Sequence, residues 1–193
     1  MVMMRLKHIN NLLFAATVLI LLYIIVAPVL PALTFWVQSR TNRGAELAAQ
    51  LTLPSGKVNA GSGDRIIVPS MLLNEPINEG TDLRALNHGG TWRRPKTSTP
   101  SEGGNTVIVA HRYTYTNPRG TFYFLNKVKV GDQIGVFWHG KRYVYSVASV
   151  KTVGPNESSI EAPTKNAQLT LYTCTPLWLP KDRLVVTANL EKP

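Results

Sequence analysis

The chain contains one cysteine, Cys174, which closes the run Thr170-Leu171-Tyr172-Thr173-Cys174 and is followed at once by Thr175-Pro176. Arg183 arrives nine positions later. A thiol attacks only as the thiolate, and an unperturbed thiol, with a pKa of about 8.5, holds little of that form at neutral pH. A guanidinium nearby favours the anion, and its planar fork can also bind a developing oxyanion. The pair therefore fits nucleophilic catalysis, provided a third group moves protons. The competing reading is an inert, packed thiol, which is what a solitary cysteine often is.

Four histidines can supply that third group. His8 precedes an apolar run and reads as a flanking residue. His88, in Asn87-His88-Gly89-Gly90, and His139, just before Gly140, read as solvated turn residues. His111 differs, because the run Thr106-Val107-Ile108-Val109-Ala110 reads as a buried strand that delivers it at its end, beside Arg112. A strand-end histidine is either an acid–base group or a cap on the sheet, and the pattern leaves both open.

These residues need strands to position them. Residues 169–174 alternate strictly, so Thr170, Tyr172 and Cys174 share one face while Leu169, Leu171 and Thr173 share the other. Residues 183–190 alternate too, with Arg183, Val185 and Thr187 together. The loop between them allows antiparallel pairing, which brings Cys174 and Arg183 to one end of a sheet. Upstream, residues 65–68 read as a strand, prolonged through Met71-Leu72-Leu73 before Pro76. Residues 81–86 read as one helical turn with Thr81 as N-cap and Gly89 at its exit. Residues 90–104 read as turns, and 122–130 mix apolar with basic side chains. Residues 133–138 and 143–147 flank His139-Gly140-Lys141-Arg142 as a hairpin, its second arm extended by residues 149–153. This many short strands with little helix predict a mainly β fold, a small barrel or sandwich.

An appendage precedes them. From His8 to Ser39 there is no charged residue, and continued to Val37 the apolar run reaches roughly 35–40 Å as helix, enough for a hydrocarbon core of about 30 Å. Its length and the lack of a small-residue exit favour an uncleaved anchor over a cleaved signal peptide. Pro28 and Pro31 are placed to kink its outer end, and Phe35 and Trp36 suit the outer interface. Arg5 and Lys7 before the run are nearly balanced by Arg40 and Arg43 after it, but a short N-terminus normally stays inside. This places the large C-terminal portion outside the cell membrane, which the chain crosses once. Residues 41–50 favour a short helix or stalk, and residues 53–63 read as linker, so the expected division is 1–38 anchor, 39–63 stalk and linker, and 64–193 folded domain.

The net charge of +10 falls to about +8 outside once Arg5 and Lys7 are set aside, which suits anionic lipids or wall polymers. The positive residues are scattered and form no zinc-finger or arginine-rich pattern, so nucleic acid is not an expected partner. Secreted domains that rely on cysteine for stability use it in pairs, so an external lone thiol is either buried and inert or kept for chemistry.

Three segments resemble one family. Thr170-Leu171-Tyr172-Thr173-Cys174 is similar to the Thr-Leu-x-Thr-Cys signature of the sortases, membrane-bound cysteine transpeptidases of Gram-positive-type cell surfaces. Gly104-Asn105 through His111-Arg112 resembles the family's Gly-Asn-x-x-x-x-x-His-Arg segment, and Arg183-Leu184-Val185-Val186 falls where the family carries its arginine. The resemblance covers roughly residues 64–190. It implies a closed β-barrel of about eight strands after one N-terminal transmembrane helix, with His111, Cys174 and Arg183 converging at one end. It also implies that Cys174 forms a thioester with the threonine of a Leu-Pro-x-Thr-Gly-like motif of secreted surface proteins. His111 would serve as acid and base, Arg183 would hold the oxyanion or the substrate, and an amine of a wall precursor or a pilin lysine would accept the acyl group. No cofactor is implied, and no acidic cluster supports a calcium site.

Departures from the pattern bear on the branch. Ala110 replaces a common glycine, Trp92 stands where relatives often carry histidine, and no Asp-Pro-aromatic lid motif is present. Thr175-Pro176 resembles neither the class A nor the class B branch. The alternatives are a non-catalytic, membrane-tethered β-barrel that binds cell-wall peptides, and another cysteine enzyme acting on the wall peptide itself.

Overall fold

The computed structural model describes residues 2–52, 63–114 and 122–191. Three helices come first: α1 (Val2–Val26), α2 (Leu30–Ser39) and α3 (Arg43–Thr52). Eight strands follow: β1 (Arg65–Val68), β2 (Leu73–Asn78), β3 (Thr91–Arg93), β4 (Asn105–Val109), β5 (Gln133–Trp138), β6 (Lys141–Val153), β7 (Gln168–Thr175) and β8 (Asp182–Leu190). They close into a barrel in the order β1-β2-β3-β4-β7-β8-β6-β5, the architecture implied by the resemblance. Closure leaves no open sheet edge to seek a partner. Two neighbouring pairs, β2–β3 and β4–β7, are parallel.

The barrel is lined by alternate residues of each strand, among them Ile66, Val68, Ile108, Ile134, Leu171 and Val186. Much of its outer wall is covered as well. Leu47 and Leu51 of α3 pack on Ile67 and Phe137, while Ala85 and Trp92 pack on Val107 and Val109. Strands buried on both faces read as unbroken apolar runs, which explains Arg65-Ile66-Ile67-Val68 and the run ending at Ala110. Gly135 on β5 is the gap that receives α3, since a Cβ there would overlap the Leu51 side chain. The segment read as stalk thus includes a helix docked on the barrel, while residues 53–62 lie outside the described residues.

Several local expectations change. The strand expected to run through Met71 is interrupted by a 3-10 turn, Pro69–Met71, closed by Leu72 in the left-handed region at φ 55°. The next strand then passes through Pro76 instead of stopping before it. Pro76 pairs with Arg65 on one side, and β3 joins the other side only from Ile77 onward, so the missing N–H breaks no ladder there. The cap of the 3-10 helix Leu83–His88 is Asp82, whose carboxylate accepts from Arg84 N at 2.8 Å, and not Thr81. The turn-rich segment contains β3, which pairs Trp92 with Val109. The long apolar run is two helices, broken at residues 27–29, with Pro31 in the first turn of α2. The apolar stretch Lys7–Val26 is long enough to cross a membrane. Phe35 turns inward to stack on Phe124 with centroids 4.3 Å apart, so of the two aromatics expected at the interface only Trp36 stays exposed.

Candidate active site

Antiparallel pairing of β7 with β8 sets Cys174 directly opposite Arg183, the juxtaposition expected from the alternation. Opposed residues share a face with Cβ atoms about 4.5–5.5 Å apart. That face is the outer one, because Leu169, Leu171, Leu184 and Val186 line the interior. Cys174 is half-buried. On its other side β7 runs parallel to β4, with Val109 level with Tyr172, and Thr173 Oγ1 donates to the Ala110 carbonyl at 2.9 Å. Continuing that register by two places sets His111 level with Cys174, and alternation from Val107 and Val109 directs it to the same outer face. His111 is exposed, and its side chain makes no hydrogen bond among the described residues. Cys174 and Arg183 therefore lie on the adjacent strands β7 and β8, and His111 follows two residues after the end of β4, at the same end of the barrel.

The other histidines are elsewhere. His139 sits at the tip of the β5–β6 hairpin with φ 47°; its N–H donates to Asp64 Oδ1 at 2.6 Å and its ring stacks on Trp138. The backbone of His88 ends the 3-10 helix after Asp82, and its side chain lies outside the described residues. Trp92, at the position where relatives often have histidine, is 1% exposed and donates from Nε1 to the Gly80 carbonyl at 3.0 Å. It covers β4 from outside.

Three supports around the site were not apparent in the sequence. Arg112 donates from Nη1 to Thr175 Oγ1 at 2.7 Å, tying the residue after Cys174 to the residue after His111. Burial lowers its guanidinium from the ordinary value, opposed by its attraction to Tyr123 and Cys174, which puts it in electrostatic reach of the thiol. Asn105, 2% exposed, donates to the carbonyls of Ile160 and Ala162 at 3.0 and 2.9 Å and accepts from Thr170 Oγ1 at 2.7 Å. It thereby clamps the β6–β7 connection, with its 3-10 helix Ser158–Glu161, against β4 and β7. Finally, Glu161 Oε1 accepts from Arg94 Nε at 2.8 Å and from the Tyr172 hydroxyl at 2.5 Å. Burial, reinforced by that carboxylate, holds the Tyr172 phenol far above its usual range. The signal for the first two was the His-Arg pair closing the β4 segment and the Gly-Asn pair opening it, whose partners could not be named from the chain; the Glu161 cluster had no such signal.

Between the Ser158–Glu161 helix and β7–β8 lies a cleft of about 270 Å³, with Glu157, Ile160, Glu161, Tyr172 and Arg183 in its lining. Arg183 makes one side-chain hydrogen bond among the described residues, from Nη1 to the Asp182 carbonyl at 3.1 Å. Arg183 borders this cleft and faces Cys174 across the β7–β8 pair, so that a cation and a nucleophile stand beside a concave surface. Among the described residues, no group of three or more acidic, histidine or cysteine side chains is placed to hold a metal ion.

The Sortase domain family model matches residues 66–191. Sortase SrtE1 of Streptomyces coelicolor is 30% identical over 158 residues, covering 72% of this chain and 44% of that protein. The chain spans about half the length of the relatives it matches. Among solved structures, sortase C-1 from Actinomyces oris superposes with a TM-score of 0.61 at 31% identity, covering 67% of this chain and 74% of that one. Sortase E1 from Streptomyces coelicolor, solved with a tripeptide in its active site, gives 0.60 at 26% identity, covering 71% and 92%. The matched segment takes in the eight strands, less Arg65 at the start of β1, together with His111, Cys174 and Arg183, and the chain belongs to the sortase family.

Proposed function

We propose that this protein is a cysteine transpeptidase that cleaves a Leu-Pro-x-Thr-Gly-like sorting motif and passes the threonyl group to an amine. The observation that carries the reading is the meeting of Cys174, Arg183 and the end of β4 at one end of the barrel. The Cys174 thiolate adds to the threonine carbonyl carbon, and the oxyanion that forms is held by the Arg183 fork. His111, as imidazolium, gives its proton to the departing glycine nitrogen as the C–N bond breaks, leaving a thioester on Cys174. Neutral His111 then takes a proton from the incoming amine, whose nitrogen displaces the sulfur and restores the thiolate–imidazolium pair. The cleft beside Arg183 takes the motif residues preceding the scissile bond. A tripeptide occupies the corresponding enzyme from Streptomyces coelicolor, which supports a peptide ligand here. The acceptor is the amine of a wall precursor or of a pilin lysine.

Incubating the full chain in detergent with a sorting-motif peptide and weighing the intact protein tests the chemistry. Wild type is expected to gain the acyl mass on Cys174, and Cys174→Ala to gain none. A wild type that binds the peptide yet never acquires the mass would leave a non-catalytic peptide-binding barrel instead.

In the domain division we propose, residues 1–38 anchor the protein, 39–63 connect, and 64–193 form the catalytic domain outside the membrane. An impermeant maleimide added to intact cells should then label the single cysteine, whereas labelling only after lysis would reverse the orientation.

A further inference from the structure

The apolar stretch Lys7–Val26 spans about 30 Å as helix, the thickness of a hydrocarbon core, so a bilayer crossed by α1 ends near Val26. The barrel touches the chain at that level. Ala27 is 2% exposed, and Tyr123 Oη donates to the Pro28 carbonyl at 3.0 Å. Tyr123 in turn touches Tyr113, whose ring lies 6.2 Å from it, centroid to centroid, and Trp178 lies 6.0 Å from Tyr113. Trp178 and Leu179 form the tip of the β7–β8 loop and are 63% and 72% exposed, as bare as Leu12 and Phe14 on α1, both 71%. Soluble surfaces do show single apolar residues, but here two adjacent large ones stand two ring contacts from the point where the chain leaves the lipid. Trp is the residue that settles at headgroup depth, its ring in the acyl boundary and its N–H in water. Lys181 at the base of the loop adds a cation suited to anionic headgroups.

We propose that the β7–β8 loop inserts Trp178 and Leu179 into the headgroup region, on the barrel's side, of the bilayer that α1 spans, so that the barrel rests on the membrane at two points. The proposal rests on the membrane reading of α1 and on no particular orientation across it. One consequence concerns the site: Cys174 is four residues from Trp178, so the reacting end of the barrel is held at the membrane surface and its tilt is set by the loop.

Tryptophan quenching in the reconstituted full chain tests this. Trp92 and Trp138 are buried at 1% and 4% exposure, so Trp36→Phe leaves Trp178 as the one exposed indole. In phosphatidylcholine–phosphatidylglycerol vesicles, the emission lost between Trp36→Phe and the Trp36→Phe/Trp178→Phe double variant reports Trp178. Brominated acyl chains are expected to quench that component at least about two-fold, while aqueous acrylamide quenches it weakly. If the chain resists carbonate extraction but this component ignores brominated lipid and yields to acrylamide, the loop contact is overturned and the anchor stands. If carbonate strips the chain from the vesicles, the anchor reading fails and the loop proposal with it.

Discussion

On the proposed mechanism His111 moves a proton in both halves of the reaction, so His111→Ala should lower kcat/KM for a sorting-motif peptide by about 10²–10⁴. Arg183 acts on the oxyanion, and Arg183→Ala should cost about 10²–10³, the loss typical of one oxyanion donor. Arg183→Lys keeps the charge but lacks the planar fork, so it should recover little of that loss. Wild-type kcat in the lysine variant would remove the oxyanion role and leave only a charge. The Cys174–Arg183 encounter was legible because two alternating strands across a short loop can pair in few ways. The supports were not: Arg112 reaches a hydroxyl 63 residues away and Arg94 a carboxylate 67 away, and no local pattern names such partners.

Among the elements, the β6–β7 connection depends on one side chain. Asn105, itself buried, satisfies two carbonyls of that segment and one hydroxyl of β7. Removing it in Asn105→Ala deletes these three hydrogen bonds and leaves the buried Thr170 hydroxyl without its acceptor, at about 1–3 kcal/mol. The wall it releases lines the cleft, so KM for the peptide should rise by a larger factor than kcat falls. Urea denaturation together with steady-state kinetics checks both, and a variant with unchanged stability would exclude the clamp. Elements of strong periodicity, β4, β5, β7 and β8, were readable in outline. The three-residue β3 was not, since it has too few residues to show a period and exists through Ile77 and Val109 on its neighbours. A segment rich in glycine and proline hides such a strand well.

For the molecule as a whole, the packing of the helices onto the barrel creates its own electrostatic penalty. Glu75 lines the groove between α2 and the barrel with Phe35, Arg43 and Phe124, and burial there raises its carboxyl above the ordinary value, with Arg65 opposing. A carboxyl raised in the folded state binds its proton more tightly there than in the unfolded chain. Stability therefore falls as pH rises from about 4.5, the unfolded value, through the raised folded value, and stays reduced above it. Glu75→Gln should raise Tm at pH 7 and converge on wild type below about pH 4.5, as thermal melts across pH would show. Equal shifts at every pH would rule out the carboxyl as the cause.

Some of this was set by sequence alone. Alternation and unbroken apolar runs are local properties of strands, so the β character, the ends of β4, β7 and β8, and the candidacy of Cys174, His111 and Arg183 could be read along the chain. The same holds for the helix able to cross a membrane, which needs only length and the absence of charge. Tertiary structure decided the rest. The parallel register that sets His111 level with Cys174 joins segments about sixty residues apart. The break at residues 27–29 lets α2 return to the barrel and turns Phe35 from the expected interface to a half-buried contact, through packing against Phe124. Both depend on which surfaces meet after the chain has folded, and a one-dimensional pattern carries no record of that meeting.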